Sequence, residues 1–178
     1  MDWIQAADEA VLLFIQEYIR VDVLNGFWKA VTFLADKGWF WLGVSFLLLL
    51  FKRTRAAGAA SLVSIAICFC ITNLVLKGCV ARPRPDAVMD AIVPLIRTPR
   101  DYSFPSGHTT VSFAGALVCY RMLPRRYGIP ALVLAGLIGF SRLYLGVHFP
   151  SDVLGGFLVA LAGSGVSVKV LAGKADVQ

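Results

Sequence analysis

The sequence predicts an all-α membrane protein: a polytopic helical bundle of five to six transmembrane helices with an N-terminal amphipathic helix. Hydrophobic residues make up 58% of the 178-residue chain, against about 45–50% in a typical soluble domain. Charged residues make up only 16%, against about 25%. A chain of this length cannot bury so much apolar surface in a soluble globule, and a disordered chain would need low hydrophobicity and high charge. We expect one domain, residues 1–178.

The N-terminal segment is amphipathic rather than continuously apolar, because its apolar and polar residues fall on opposite helical faces. The apolar face comprises Trp3, Ala7, Ala10, Val11, Phe14, Ile15 and Tyr18, and the polar face comprises Asp2, Gln5, Glu9, Gln16 and Arg20. A second short amphipathic stretch uses Leu24, Phe27, Trp28, Val31, Leu34 and Ala35. The first helix either lies in the membrane interface or crosses as a sixth span, and the sequence leaves both options open.

Five uncharged runs predict the remaining spans. They are Gly38–Phe51, Ala56–Leu76, Tyr102–Tyr120 (which contains His108), Tyr127–Ser141 and Val153–Val168. Several are shorter than the roughly 20 residues that a bilayer requires. We therefore expect these helices to continue through polar residues at one end.

Basic clusters between the spans predict the orientation, because cytoplasmic loops collect Lys and Arg. Three clusters fall on one face, two crossings apart: Lys52, Arg53 and Arg55; Arg121, Arg125 and Arg126; Lys169 and Lys174. That face is expected to be cytoplasmic, which places the loop 77–101 and the turn 142–152 on the outer face. These loops also explain the net charge of +6, so we expect no nucleic-acid partner.

Ionisable residues gather at the outer ends of the runs: Lys77, Arg82, Arg84, His108, Arg142, His148 and Asp152. Ionisable groups at membrane depth are costly and indicate a functional site. Taken singly, Arg82, Arg97 and Arg100 are interpreted as snorkelling anchors, and Asp86, Asp90 and Asp101 as solvated loop charges. The prolines of the segment 82–94 predict an irregular loop that covers the site as a lid.

These residue types suit phosphate chemistry. Lys77, Arg84 and Arg142 supply cations, and the two guanidinium forks match phosphate oxygens. The segment Pro105–His108 opens a helical run, whose first N–H groups and positive dipole end favour an anion. Glycine at position 107 allows close backbone approach, and Ser106 is either a phosphate ligand or only a helix cap.

The two histidines, one of them followed by an acid, add a nucleophile. Asp152 follows His148 by about one helical turn, and Pro150 suits a first turn. A carboxylate there holds one ring nitrogen protonated and leaves the other free to attack. This combination predicts phosphoryl transfer through a phosphohistidine. The sequence has no nucleotide P-loop and no carboxylate cluster for Mg²⁺, so we expect no cofactor and no metal.

Three motifs resemble the signature of the phosphatidic acid phosphatase type 2 superfamily, which shares its active site with vanadium haloperoxidases. The first motif is a lysine followed, after six residues, by Arg-Pro, and it is matched by Lys77, Arg84 and Pro85. The second motif, Pro-Ser-Gly-His, is matched by Pro105–His108. The third motif, Ser-Arg, five residues, His, three residues and Asp, is matched by Ser141, Arg142, His148 and Asp152. All three parts are complete and in order between residues 77 and 152.

The resemblance implies a role for each matched residue. His148 attacks phosphorus, Asp152 orients it, and His108 protonates the leaving oxygen before activating water. The equatorial oxygens and the transition-state charge are bound by Lys77, Arg84, Ser106, Gly107 and Arg142.

The resemblance also implies a metal-independent lipid phosphatase of the bacterial cytoplasmic membrane, with its active site facing outward. The expected substrate is undecaprenyl diphosphate, hydrolysed to undecaprenyl phosphate; phosphatidylglycerophosphate, phosphatidate and other lipid phosphates are alternatives. Membrane lipids are the other expected partners. A vanadate-dependent peroxidase is disfavoured by the multiple spans. A non-catalytic lipid-binding or transport protein is disfavoured because His108, His148 and Asp152 are all retained.

Overall fold

The computed structural model describes residues 2–175, and every regular element in that range is helical. In chain order these are α1 Asp2–Phe14, α2 Asp22–Phe33, α3 Trp39–Leu50, α4 Arg55–Phe69, α5 Lys77–Val80, α6 Pro85–Val88, α7 Gly107–Met122, α8 Arg125–Tyr144 and α9 Pro150–Ala175. A π-helical turn, Ile15–Ile19, continues α1, and a second π-helical segment, Cys70–Leu76, joins α4 to α5. The prediction of an all-α membrane helical bundle is confirmed.

Three segments of the described chain are long and apolar enough to cross a membrane: Arg55–Val88, which comprises α4 to α6, Arg125–Tyr144 and Pro150–Leu171. The pair Asp22–Phe33 and Asp36–Leu50 qualifies as a fourth span, bent by 42°. The predicted run at 102–120 forms α7, which has only 16 residues because its cap, Ser106, sets a late start. Helix α7 packs against α4, α8 and α9 and is the centre of the bundle.

Small side chains let these helices approach closely. This is expected in a membrane, where the hydrophobic effect does not drive helices together and association depends on close packing. A Cβ on Gly58 of α4 would lie 2.7 Å from the backbone oxygen of Ser45 in α3. A Cβ on Gly156 of α9 would lie 2.8 Å from the backbone oxygen of Ser106. The second contact holds the beginnings of α7 and α9 side by side.

The motif-bearing helix ends meet at one end of the bundle. Helices α7 and α9 begin there, and the Ser106 N–H donates to the backbone oxygen of Asp152 at 3.0 Å. At the opposite end, Arg121 near the end of α7 donates to Ser164 of α9 at 2.7 Å. The predicted basic clusters lie at this second end, except that the side chain of Lys174 falls outside the described residues.

Helix α1 is amphipathic, but the side that packs against the bundle is mixed, since Asp8 and Leu12 are both buried, and most of the predicted apolar face is exposed. Asp8 is buried, whereas Trp3 and Tyr18 are 75% and 72% exposed. Arg20, just after the π-helical turn, donates to the backbone oxygen of Tyr144 at 2.8 Å. The helical stretch formed by α1 and its π-helical turn is not among the described segments that are long and apolar enough to cross a membrane, and its exposed apolar face suits the membrane interface.

The segment predicted as an irregular loop contains the short helix α6 and is packed against α1. Ile92 is buried in a cluster with Leu12 of α1 and Phe149. The Gln16 side chain donates to the backbone oxygen of Ala91 at 2.8 Å. These contacts hold the segment over the site end of the bundle, and its movement as a lid stays a prediction.

Candidate active site

The predicted ionisable residues come together at the end of the bundle where α7 and α9 begin. Lys77 begins α5, Arg84 precedes α6, His108 lies in the first turn of α7, Arg142 in the last turn of α8, His148 in the turn before α9, and Asp152 in its first turn. Arg142, His148 and Asp152 are each at most 2% exposed. Each helix therefore delivers its polar end to one buried cluster.

Asp152 is fixed by the way α9 begins. Pro150 occupies the first helical position, where its fixed φ suits a helix start. Asp152 reaches back so that its Oδ2 accepts the Phe149 N–H at 2.8 Å, which is the carboxylate half of a capping box. The same oxygen accepts from Ser103 Oγ and lies 3.4 Å from His148 Nδ1. Local helix capping thus aims this carboxylate at the histidine.

His148 presents its other ring nitrogen to the cationic side of the site. Burial lowers the pKa of His148 to about 4; its hydrogen bond to Asp152 opposes that shift, and the charges of Arg142 and Arg84 add to it. The ring is therefore neutral near pH 7. With Nδ1 turned toward Asp152, the free lone pair lies on Nε2, which is 3.3 Å from Arg84 Nη1.

Arg84 organises the cationic side. Its Nη1 donates to the backbone oxygen of Val147 at 2.8 Å, and its Nη2 donates to Asp101 Oδ1 at 2.7 Å. Lys77 pairs with the other oxygen of the same carboxylate. Asp101 therefore bridges two of the cations that are predicted to bind phosphate.

The interpretation of Asp101 as a solvated loop charge is wrong. Its side chain is 49% exposed, yet both of its oxygens are engaged. Burial alone would raise the pKa of Asp101, but the hydrogen bonds and charges of Lys77 and Arg84 lower it to about 2. An ionised carboxylate thus occupies donors that a phosphate would use.

Arg142 is the most deeply buried cation of the set, with 2% exposure. Its Nη1 donates to Thr32 Oγ1 of α2 at 2.6 Å. Its Nε is also buried, and no acceptor among residues 2–175 contacts it. Because an unpaired buried donor is costly, the oxygen of a bound anion would suit this atom.

The beginning of α7 supplies the second histidine. Ser106 Oγ accepts from the Thr109 N–H at 3.5 Å and from Thr109 Oγ1 at 3.0 Å, so the structure gives this hydroxyl a capping role. Its binding of phosphate stays a prediction. A Cβ on Gly107 would meet nothing within 4 Å, which leaves the backbone open to a ligand. His108 Nε2 lies 3.7 Å from Asp36 Oδ1.

A cavity of about 770 Å³ opens between α3, α4 and the beginning of α7. Its polar end is formed by Lys77, Asp101 and His108, and its apolar wall includes Leu42, Leu62, Ile65, Phe69 and Val111. Residues 2–175 present no group of three or more His, Cys, Asp or Glu side chains arranged to hold a metal ion. The positive charge at the polar end is carried by side chains of the protein.

Arg82 belongs to the predicted outer set, but the sequence interpretation missed its contact with Asp152. It is no lone membrane anchor, because its Nη1 donates to Asp152 Oδ1 at 2.8 Å. The available signal was a second Arg-Pro pair, Arg82 and Pro83, directly before the motif pair. Arg97 and Arg100 are exposed.

A family model described as the PAP2 superfamily matches residues 57–175. Among curated proteins, the chain is similar to an undecaprenyl-diphosphatase of Sulfolobus acidocaldarius. The two are 35% identical over 155 residues, which cover 86% of this chain and 73% of the relative.

Two solved structures share this architecture. A PAP2-type phosphatidylglycerolphosphate phosphatase from Bacillus subtilis has a TM-score of 0.78 and 30% identity, and the match covers 96% of this chain and 87% of that one. LpxE from Aquifex aeolicus has a TM-score of 0.80 and 26% identity, with 90% of this chain and 93% of that chain covered.

Proposed function

Because this chain belongs to the PAP2 superfamily and is a membrane lipid phosphatase, we propose that it hydrolyses a lipid diphosphate, undecaprenyl diphosphate, through a phosphohistidine on His148. One observation carries the proposal. His148 turns Nδ1 toward Asp152, 3.4 Å from its Oδ2, and Nε2 toward Arg84. A neutral imidazole held in this way has its lone pair directed at the site where cations would hold a phosphoryl group.

The first half of the reaction transfers the phosphoryl group. The Nε2 lone pair of His148 attacks phosphorus, and the P–N bond forms as the P–O bond to undecaprenyl phosphate breaks. His108, whose protonated form is favoured by the negative charge of the bound substrate, gives its proton to that leaving oxygen. Asp152 stays ionised and stabilises the positive charge that develops on the imidazole.

The second half releases phosphate. His108, now neutral, takes a proton from water, whose oxygen attacks phosphorus as the P–N bond breaks. Arg84, Lys77 and Arg142 hold the equatorial oxygens in both halves, since preorganised donors stabilise transition-state charge in a water-poor site. Asp101 must release Lys77 and Arg84 when the phosphate arrives.

The shape of the cavity supports a lipid rather than a soluble substrate. Its polar end holds Lys77 and His108, while Leu62 and Phe69 line its apolar wall along α4. A lipid whose phosphate headgroup lies at the polar end would place its hydrocarbon tail against the apolar wall. Phosphatidylglycerophosphate is the second candidate, because the Bacillus subtilis phosphatase matches nearly the whole chain.

We also propose that the site faces outward from a bacterial cytoplasmic membrane. The basic clusters lie at the opposite end of the bundle and would be cytoplasmic. Cys79, two residues after Lys77, is exposed, so an impermeant maleimide should label it in intact cells, and Cys79→Ser should abolish that labelling. Labelling only after the membrane is opened would reverse the orientation.

The function is tested with the purified protein in detergent, by phosphate release from undecaprenyl diphosphate, phosphatidylglycerophosphate and phosphatidate in competition. We expect the highest kcat/KM for undecaprenyl diphosphate, no turnover by a folded His148→Ala variant, and no loss of activity with a chelator. Turnover by His148→Ala would refute the assignment of His148 as the nucleophile, and strict dependence on Mg²⁺ would refute the metal-free mechanism. A strong preference for another lipid would refute only the proposal that undecaprenyl diphosphate is the substrate.

A further inference from the structure

Arg82 lies between two buried carboxylates that belong to opposite ends of the chain. One is Asp152 of α9, whose side chain is 0% exposed, and the other is Asp8 of α1, whose side chain is 5% exposed. The guanidinium is itself only 16% exposed. Buried charges need partners, so the three side chains depend on one another.

On the α9 side, Arg82 determines which oxygen of Asp152 serves the histidine. Arg82 Nη1 donates to Oδ1 at 2.8 Å, which leaves Oδ2 to His148 and to the N–H of Phe149. The two oxygens are therefore assigned to different partners. Rotation of the carboxylate would break the bond to Arg82.

On the α1 side, Asp8 holds both Arg82 and the first turn of α9. Arg82 Nη2 donates to Asp8 Oδ2 at 2.7 Å. The N–H of Ser151 donates to Asp8 Oδ1 at 2.9 Å, and the Ser151 hydroxyl donates to Oδ2. A carboxylate at the N-terminal turn of a helix is favoured by the free N–H groups there. Asp8 thus contacts the residue directly before Asp152.

The guanidinium is also fixed from its face. Its Cζ lies 4.1 Å from the ring centroid of Phe149, the residue directly after His148. Stacking on an aromatic ring suits the planar guanidinium and not a lysine ammonium. Arg82 is therefore held in one orientation by α1, by α9 and by the turn that carries the nucleophile.

We propose that Asp8 and Arg82 are positioning residues for the Asp152–His148 pair, so that the N-terminal helix completes the catalytic site. This inference rests on the proposed function. Asp8 orients Arg82, Arg82 fixes the carboxylate of Asp152, and that carboxylate fixes the imidazole for attack. None of these contacts reaches Lys77 or Arg142, so ground-state phosphate binding should not depend on Asp8.

The alternative is that Asp8 only docks α1 onto the bundle. Arg20 offers a matched control, because it anchors the same N-terminal segment through the backbone oxygens of Tyr144 and Val93 and does not contact Asp152. A docking role predicts the same effect from Arg20→Gln as from a change at Asp8.

The experiment uses the full chain in detergent, with Asp8→Asn, Asp8→Ala, Arg82→Lys and Arg20→Gln. We measure kcat, KM, inhibition by phosphate and inhibition by vanadate, which mimics five-coordinate phosphorus and needs a correctly placed nucleophile. Asp8→Asn should lower kcat by about 10- to 100-fold, the usual effect of losing an outer-shell partner. Asp8→Asn should also weaken inhibition by vanadate by a similar factor, and it should leave KM and inhibition by phosphate nearly unchanged.

Asp8→Ala should lose more activity than Asp8→Asn, because the amide keeps an acceptor for Arg82. Arg82→Lys keeps the positive charge but loses the planar guanidinium that donates to Asp8 and Asp152 together, so it should retain only part of the wild-type kcat. Wild-type kcat and vanadate inhibition in Asp8→Asn would overturn the proposal, as would an equal loss in Arg20→Gln. If Arg82→Lys does not fold, the two Asp8 variants decide the question. An active His148→Ala would instead overturn the proposed function itself.

Discussion

Asp152→Asn is the substitution whose effect the structure defines most sharply. The side chain is fully buried, and both carboxylate oxygens accept hydrogen bonds. An amide of the same size keeps one acceptor and replaces the other with an NH₂ group. That NH₂ must face a donor, either Arg82 Nη1 at 2.8 Å or the Phe149 N–H at 2.8 Å. The variant therefore loses the charge and one of two well-aligned interactions.

The catalytic loss should be large. Removing the charge that orients a catalytic histidine costs about 10⁴-fold in kcat in a comparable triad, or about 5 kcal/mol of transition-state stabilisation. Breaking a buried ion pair costs up to about 3–5 kcal/mol of folding stability. Arg82 keeps Asp8 as a partner, so the stability loss should fall below that range.

The assay measures kcat and KM for phosphate release beside the melting temperature. Asp90→Asn, the same chemical change at an exposed position, is the control and should match the wild type in all three. We expect Asp152→Asn to lose kcat with KM nearly unchanged, since the cations proposed to bind phosphate are untouched. A folded variant with kcat within about tenfold of the wild type would refute the orienting role of this carboxylate.

Two further changes test other parts of the account. Asp101→Asn should tighten inhibition by inorganic phosphate about 2- to 30-fold, because it frees Lys77 and Arg84 from two ion pairs that contribute about 0.2–1 kcal/mol each. The pKa of Asp101 is about 2, so the carboxylate is ionised throughout pH 5–8 and the difference should be constant there; weaker phosphate inhibition in the variant would contradict the competition. Gly58→Ala should lower the free energy of unfolding by about 1–3 kcal/mol, because its Cβ would meet the Ser45 backbone oxygen at 2.7 Å. The control is Gly43→Ala, whose Cβ would meet nothing within 4 Å and which should not destabilise the protein. Equal melting temperatures of the two variants would contradict the packing of α3 on α4.

Local chemistry explains what the sequence predicts correctly at the site. Ser106 begins α7 because a serine cap acts within one helical turn, and Asp152 meets His148 because four residues in sequence span one turn. Neither arrangement requires knowledge of the tertiary fold. The motif spacing carries the same local information, which is why both helix starts fall where the sequence places them.

Contacts between distant segments explain what the sequence misses. Arg82 has its partners in α1 and α9, 70 or more positions away, so no spacing rule connects them. Asp101 lies 24 positions from Lys77, in a loop whose path is set by packing. The inward side of α1 differs from expectation because Asp8 accepts from buried donors at the site, while Leu12 packs beside Ile92 and Phe149.

The central claim is a covalent phosphoryl group on His148, and a rapid alkaline quench of the enzyme during turnover of phosphorus-labelled substrate tests it most directly. His108→Ala should both form and release the intermediate more slowly, because His108 is the acid of the first half and the base of the second. The account predicts label on His148 that is stable to alkali and labile to acid, and no label in His148→Ala. Label on another residue, or turnover by His148→Ala without label, would contradict it.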